Sequence, residues 1–168
     1  TGLDFFRNEI IQIGLVLAEE TQTNDKLSIR IISEHEYKIK QKHLETADLR
    51  ALRVNGYSAD EWQEALELEI VMNILAKKID GAVLVSHNTP FDFAFLDKAF
   101  KDCGLINPLH YHTLDTISLA HAKISGDVKT YSLHTLCQHF GILNKNEHTA
   151  LSDVKATYEV YKKLMEID

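Results

Sequence analysis

Two β-branched, partly alternating runs open the chain, residues 10–18 (IIQIGLVLA) and 27–40 (LSIRIISEHEYKIK), separated by the polar stretch from Glu19 to Lys26. Alternation at period two marks strands with one face on a core, and a polar interval between two such runs makes a hairpin. An antiparallel pair is therefore predicted. From Ser58 the period changes: Ser58 and Glu61 have capping-box spacing, Trp62, Leu66 and Ile70 follow four apart, and Gly81 is a stop signal. A long helix over 59–79 is expected. Ala82 to Val85 is short and wholly apolar, as befits a central parallel strand buried on both faces. The pattern then predicts a helix at 91–103, a strand at 109–114, and helices at 115–124, 132–140 and 150–166. A hairpin followed by alternating helix and strand builds an α/β fold, a mixed sheet with helices on both faces.

Composition narrows the class. The 168 residues suit one domain, and with Pro90 and Pro108 the only prolines and no Ser/Gly linker or repeat, nothing divides the chain. No apolar run approaches the roughly 20 residues a membrane span needs. Cys103 and Cys137 stand far apart without a CxxC partner, which argues against a disulfide scaffold and for a reducing, cytoplasmic compartment. A formal charge of −7, from 18 basic and 25 acidic residues, argues against a broad basic face gripping long duplex. It permits carboxylates gathered around divalent cations, which cancel their mutual repulsion. Starting at Thr1-Gly2 without initiator Met or signal peptide, the chain is expected to be cut from something longer.

The sharpest local anomaly is Asp92. Residues 92, 95, 96, 99 and 103 share one helical face, and an aspartate heads a stripe of Phe95, Leu96, Ala99 and Cys103. As a first-turn acid after Pro90 it could simply complement the helix dipole. Alternatively it is a metal ligand at the carboxyl end of a central strand, where open sheets bind ligands. His148-Thr149-Ala150-Leu151-Ser152-Asp153 opens the last helix, whose apolar stripe reads Leu151, Val154, Tyr158, Tyr161 and Met165. At 100° per residue Asp153 sits about 120° off that stripe, free to face a cleft. The pair offers a hard oxygen ligand and, five residues earlier, an imidazole whose unperturbed pKa near 6.5 suits proton abstraction at neutral pH, although a loop histidine and a first-turn aspartate are also ordinary.

Other features carry less. His110 with His112, and His134 with His139, lack the partners of a tetrahedral zinc site. Asp115 reads as an N-cap of the helix after it, and His87 either orders its loop or is a buried hydrogen-bonded residue. GxGxxG, P-loop and GxSxG signatures are missing.

Taken together, Thr1-Gly2-Leu3-Asp4 with Ile10-Ile11-Gln12-Ile13-Gly14, Ser86-His87-Asn88-Thr89-Pro90-Phe91-Asp92-Phe93-Ala94-Phe95-Leu96, and His148 to Asp153 resemble the DEDDh (DnaQ-like) 3′-to-5′ exonuclease superfamily. Leu114-Asp115-Thr116 and Tyr131-Ser132-Leu133-His134-Thr135-Leu136 extend the match along the whole chain. The family includes the proofreading subunit of bacterial replicative polymerase, ribonuclease T and oligoribonuclease. The resemblance implies a ribonuclease H-like fold, two divalent cations (Mg²⁺ or Mn²⁺), Asp92 and Asp153 as ligands and His148 as general base. It further implies that Thr1, through its backbone, and Leu3, as a wedge, meet the terminal nucleotide in a pocket shaped by Asn88 and Phe95. The family's first motif, D-x-E-T-T-G, supplies two more acids. These are expected immediately before Thr1, so residues 1–168 form a single exonuclease domain lacking its first strand. One departure is Val154 after Asp153, where the family often has Ala.

The activity implied is hydrolysis of DNA or RNA from a 3′ end, single-stranded ends foremost, to nucleoside 5′-monophosphates. A polymerase or a second copy of the chain is left open as partner. A catalytically inactive module of the same fold, binding nucleic acid or protein, is the competing reading; an unrelated metal-dependent phosphohydrolase is a third.

Overall fold

The computed structural model describes residues 1–23, 26–144 and 149–167. Strands β1 (Gln12–Thr23) and β2 (Lys26–Lys38) pair antiparallel, with a register irregularity between Leu17 and Ala18. The hairpin outruns its apolar runs: Glu19 to Thr23, read as turn from their polarity, pair with residues 26–30. Ladder bonds are made by the backbone and need no apolar side chain. Arg30 and Glu19 face each other there at 3.1 Å.

Successive side chains of β1 point to opposite faces. Ile13, Leu15 and Leu17 pack on a core of Met72, Leu75 and Ile79, at α2 (Leu68–Lys78), and Ala99 and Phe100 of α3 (Thr89–Asp102). The other face meets α6 (Ala150–Met165). A second core joins α6, through Ala156, Val160 and Leu164, to α4 (Thr116–Lys123) and α5 (Leu133–Phe140), through Ala120, Leu136 and Cys137. Helices thus cover both faces of the hairpin strand, as predicted for a mixed α/β fold.

The long helix over 59–79 is shorter and starts later. A brief helix α1 (Leu49–Val54) precedes it, capped by Asp48 accepting from the Arg50 N–H at 2.7 Å. Residues 59–64 form turns, and α2 starts only at Leu68. Ser58 Oγ does accept from the Glu61 N–H at 3.2 Å, but the Glu61 carboxylate takes Lys38 Nζ at 3.1 Å instead of closing a capping box. Trp62 Nε1 donates to the Ile11 carbonyl at 3.0 Å, and Leu66 bridges to Lys38 and Lys40 through backbone bonds of 3.0 and 2.9 Å. The end of β2 captures this segment in extended form. Consequently Ile70, expected inside, is exposed while Val71, Met72 and Leu75 are buried.

Strands β3 (Leu84–Ser86) and β4 (Thr113–Asp115) pair parallel, Val85 opposite Leu114. Parallel pairing matches the expectation for 82–85; burial on both faces and a central place do not, since β3 is half-buried, Val83 is exposed and β4 is its only partner strand among the described residues. The apolar run marked the segment, and backbone pairing set its limits. The described strands therefore form two two-stranded sheets, one antiparallel and one parallel.

The buried stripe of α6 is Ala156, Thr157, Val160, Tyr161 and Leu164, rotated from the predicted one. Of the predicted positions, Leu151, Val154, Tyr158 and Met165 are only half-buried. The helix is gripped on two sides. Tyr158 Oη donates to the Ile29 carbonyl at 3.0 Å and Tyr161 Oη to Glu20 at 2.9 Å on the hairpin side, opposite the contacts with α4 and α5.

Candidate active site

Asp92 sits in the first turn of α3, just beyond the end of β3. The turn into the helix is made by Asn88, which has left-handed backbone (φ 71°, ψ 56°) and is the one non-glycine residue with positive φ among the described residues. Asparagine tolerates this conformation better than most residues. Asp115 holds the turn in place. Its Oδ1 accepts from the N–H groups of Asn88 at 2.9 Å and Thr89 at 3.4 Å, and its carboxylate also takes the Ile117 N–H at 3.3 Å and Ser118 Oγ at 3.0 Å. The predicted N-cap of α4 is thus also the clamp on the start of α3, a second role with no signal in local sequence. Burial pushes the Asp115 carboxyl up, but donors from Ser118, Asn88, Ile117 and Thr89 outweigh it and leave its pKa below the usual range. His87 Nδ1 shares a hydrogen bond with Thr116 Oγ1 at 2.9 Å, and burial lowers its pKa despite the opposing charge of Asp115. The ring is therefore half-buried and hydrogen-bonded.

The Asp92 carboxylate is half-buried and accepts from Ser86 Oγ. Burial raises its pKa above the ordinary carboxylate value; the Ser86 hydroxyl and its own N–H work the other way, and the charge of Asp115 adds to the rise. Phe95 and Ala99, three and seven residues on, are buried, so the aspartate does head the core-facing stripe.

Asp153 lies in the first turn of α6, on the face that continues through Ala156, Val160 and Leu164. Thr149 caps the helix, its Oγ1 accepting from the Ser152 N–H at 3.3 Å. Asn144 Nδ2 donates to Asp153 Oδ1 at 3.0 Å and Asn144 Oδ1 accepts from Ser152 Oγ at 2.5 Å, which orients the carboxylate. Asn144 was missed, being a loop residue with no distinguishing spacing. Glu36, likewise missed, reaches from β2 to accept from the Leu151 N–H at 3.2 Å. His148 lies outside the described residues.

Asn88 precedes and Phe95 lies within α3, the helix of Asp92, whereas Asp153 is carried by a different helix. Phe95 is buried with ring contacts to Phe91 at 4.9 Å and Phe5 at 6.5 Å between centroids. Leu3 is 83% exposed and lies close to Phe5 in sequence. Thr1 is buried. Its hydroxyl accepts from the Glu9 N–H at 2.7 Å and its carbonyl from the Asp48 N–H at 2.9 Å, so its backbone oxygen already has an internal donor.

Among the described residues no three His, Cys, Asp or Glu side chains gather as a metal cage. Asp92 nevertheless fits a hard cation: a carboxylate that burial disfavours as an anion gains most from a positive charge beside it. Asp153 adds a second oriented carboxylate.

A family model described as exonuclease, RNase_T, matches residues 1–161, and the chain belongs to this exonuclease family. Among its curated relatives is a DNA polymerase III PolC-type of Clostridium perfringens, 30% identical over 96% of this chain and 10% of that protein. The 3′-5′ exonuclease DinG of Staphylococcus saprophyticus is also 30% identical, over 95% of this chain and 16% of its own length. A PolC-type polymerase of Caldanaerobacter subterraneus matches at 30% over 99% and 11%. The chain thus spans between a tenth and a sixth of the length of these relatives. No helix among the described residues is long and apolar enough to cross a membrane.

Proposed function

We propose that this chain is the nuclease domain of a cytoplasmic protein that removes nucleotides one at a time from the 3′ end of DNA or RNA, with two divalent cations, Mg²⁺ or Mn²⁺. The observation that carries the reading is Asp92: a half-buried carboxylate with raised pKa, heading an apolar stripe in the motif the family uses for ligation. Asp92 and Asp153 would hold the cations. When bound, such cations stabilise charge at the scissile phosphate and the leaving oxygen.

His148 takes a proton from the attacking water, whose oxygen bonds to phosphorus as the bond to the 3′ oxygen of the preceding nucleotide breaks. That oxygen leaves and gains a proton from solvent, giving a nucleoside 5′-monophosphate and a strand one residue shorter. Asn88, fixed by Asp115, and Phe95 form the wall of the terminal-nucleotide pocket, with Leu3 beside the last base and the Thr1 backbone against the nucleotide. Asn144 and Thr149 keep Asp153 and the approach to α6 in register. Polymerase association is supported by the PolC-type relatives.

The test uses the full-length protein containing this chain. With Mn²⁺ it should release mononucleotides from a 3′-labelled oligonucleotide and stop in EDTA. Asp153→Ala and His148→Ala should each lose nearly all turnover while remaining folded. Absence of mononucleotide release by the wild type, or full activity in either variant, sinks the reading.

A further inference from the structure

Ser86 closes β3, and its main chain is held from two sides. It pairs with Asp115 across the parallel ladder, and its carbonyl accepts from Thr89 Oγ1 at 3.2 Å and Thr116 Oγ1 at 3.3 Å. Both threonines are buried. Their hydroxyls would be costly to leave unpaired, so the junction has little freedom to move. Thr89 Oγ1 also lies 2.7 Å from the Leu114 carbonyl, which ties the start of α3 to β4.

From this fixed base the Ser86 hydroxyl donates to Asp92 Oδ2. The contact spans six positions and depends on left-handed Asn88, which turns the chain from β3 into α3. A serine hydroxyl has one proton to give, and here it goes to one of the two oxygens of a half-buried carboxylate. Ser86 is the only side chain that donates to Asp92 among the described residues. The donor is neutral. A lysine or arginine would aim the carboxylate equally well but would offset the charge that a divalent cation needs, whereas a hydroxyl sets its plane and leaves that charge in place. Asp153 is treated the same way by a different residue, since its Oδ1 is held by the neutral Asn144 amide at 3.0 Å.

Resting on the reading of Asp92 as a cation ligand, we propose that Ser86 is a positioning residue, whose hydroxyl holds the Asp92 carboxylate in the orientation that receives the cation. Without it the carboxylate turns about its side-chain bonds, and cation binding must supply the order that Ser86 builds in beforehand. Removing a hydrogen bond onto a ligating side chain costs about 10–100-fold in metal affinity. A serine that only stabilised the start of α3, where Asn88 makes no side-chain cap, would lower stability and leave cation binding untouched.

The experiment titrates the full-length protein with Mn²⁺ in the absence of nucleic acid, reading free Mn²⁺ by electron paramagnetic resonance, with Tm measured in parallel in EDTA. Ser86→Ala should bind Mn²⁺ at least about tenfold more weakly than wild type. Ser86→Thr, which keeps the hydroxyl, should restore the affinity. In mononucleotide release the Mn²⁺ concentration giving half the maximal rate should rise by the same factor in Ser86→Ala, while turnover at saturating Mn²⁺ returns close to that of wild type. Unchanged Mn²⁺ affinity in Ser86→Ala, whatever its Tm, overturns the proposal. So does a threonine variant as weak as the alanine variant at the wild-type Tm. Asp92→Asn distinguishes this failure from that of the reading beneath it. If wild type binds no Mn²⁺, or Asp92→Asn binds it as wild type does, Asp92 is no ligand and both fall; if Asp92→Asn loses Mn²⁺ while Ser86→Ala keeps it, only the role of Ser86 falls.

Discussion

Gly14 of β1 lies so close to Ala150 that a Cβ on the glycine would stand 2.3 Å from the Ala150 carbonyl oxygen and 2.7 Å from the Leu151 nitrogen. Both are backbone atoms, which cannot swing aside. Glu36, the strand partner of Gly14, accepts from the Leu151 N–H on the same side. The start of α6, and with it Asp153, is therefore seated on the hairpin by a missing side chain and a carboxylate.

Gly14→Ala is expected to push α6 away. The glycine has no positive φ, so the cost is steric and not conformational. Overpacking of this kind costs about 1–3 kcal/mol. Thermal unfolding should show that loss, and nuclease turnover should fall further than stability does because the Asp153 carboxylate moves.

Asp92→Asn should separate stability from activity. The native carboxyl has a raised pKa, so the folded state holds the proton more tightly than the unfolded chain. Stability is thus lost as pH rises from the ordinary value of 3.8 through the raised native one, and the deficit persists at neutral pH. The asparagine variant removes it. In EDTA at pH 7 its Tm should exceed that of wild type, the gap closing as pH falls toward 3.8, while turnover disappears. A lower Tm at pH 7 would contradict the burial argument.

Asp115 behaves with the opposite sign. Its pKa is depressed, so its contribution is present in full above the ordinary 3.8 and is lost as pH falls below that through the native value. Asp115→Ala strips the partners from the Asn88 and Thr89 N–H groups and should cost about 1–3 kcal/mol, the usual range for orphaned donors. Acid unfolding curves should lose part of their pH dependence. Turnover should fall as the Asn88 turn loosens.

Tyr161 donates to Glu20, and burial together with that carboxylate pushes its pKa up to about 12. The phenol's raised pKa means stability falls as pH climbs from 10.0 toward that value. Tyr161→Phe should lose about 1 kcal/mol at neutral pH, a typical net hydrogen bond, and should flatten the alkaline limb of the Tm profile.

Much of the candidate site was legible in local sequence because its signals are local. Pro90 followed by Asp92, the Asp115 N-cap and Thr149 with Asp153 all sit at helix starts, where capping chemistry is written within four residues. The core-facing position of Asp92 followed from the spacing to Phe95 and Ala99 alone. The second role of Asp115 was not readable, since its partners Asn88 and Thr89 lie 27 and 26 residues away.

The sequence by itself determined the α/β class, the hairpin, the parallel pairing of the later strands and the helices that carry Asp92 and Asp153, because periodicity reports which face of an element is apolar. Tertiary structure alone decided where α2 begins, since Trp62 and Leu66 are held by Ile11, Lys38 and Lys40 instead of by a helix. It alone decided that Glu36 reaches across 115 positions to α6. Long-range hydrogen bonds and backbone clearance leave no trace in a local pattern; they exist only once the chain has closed on itself.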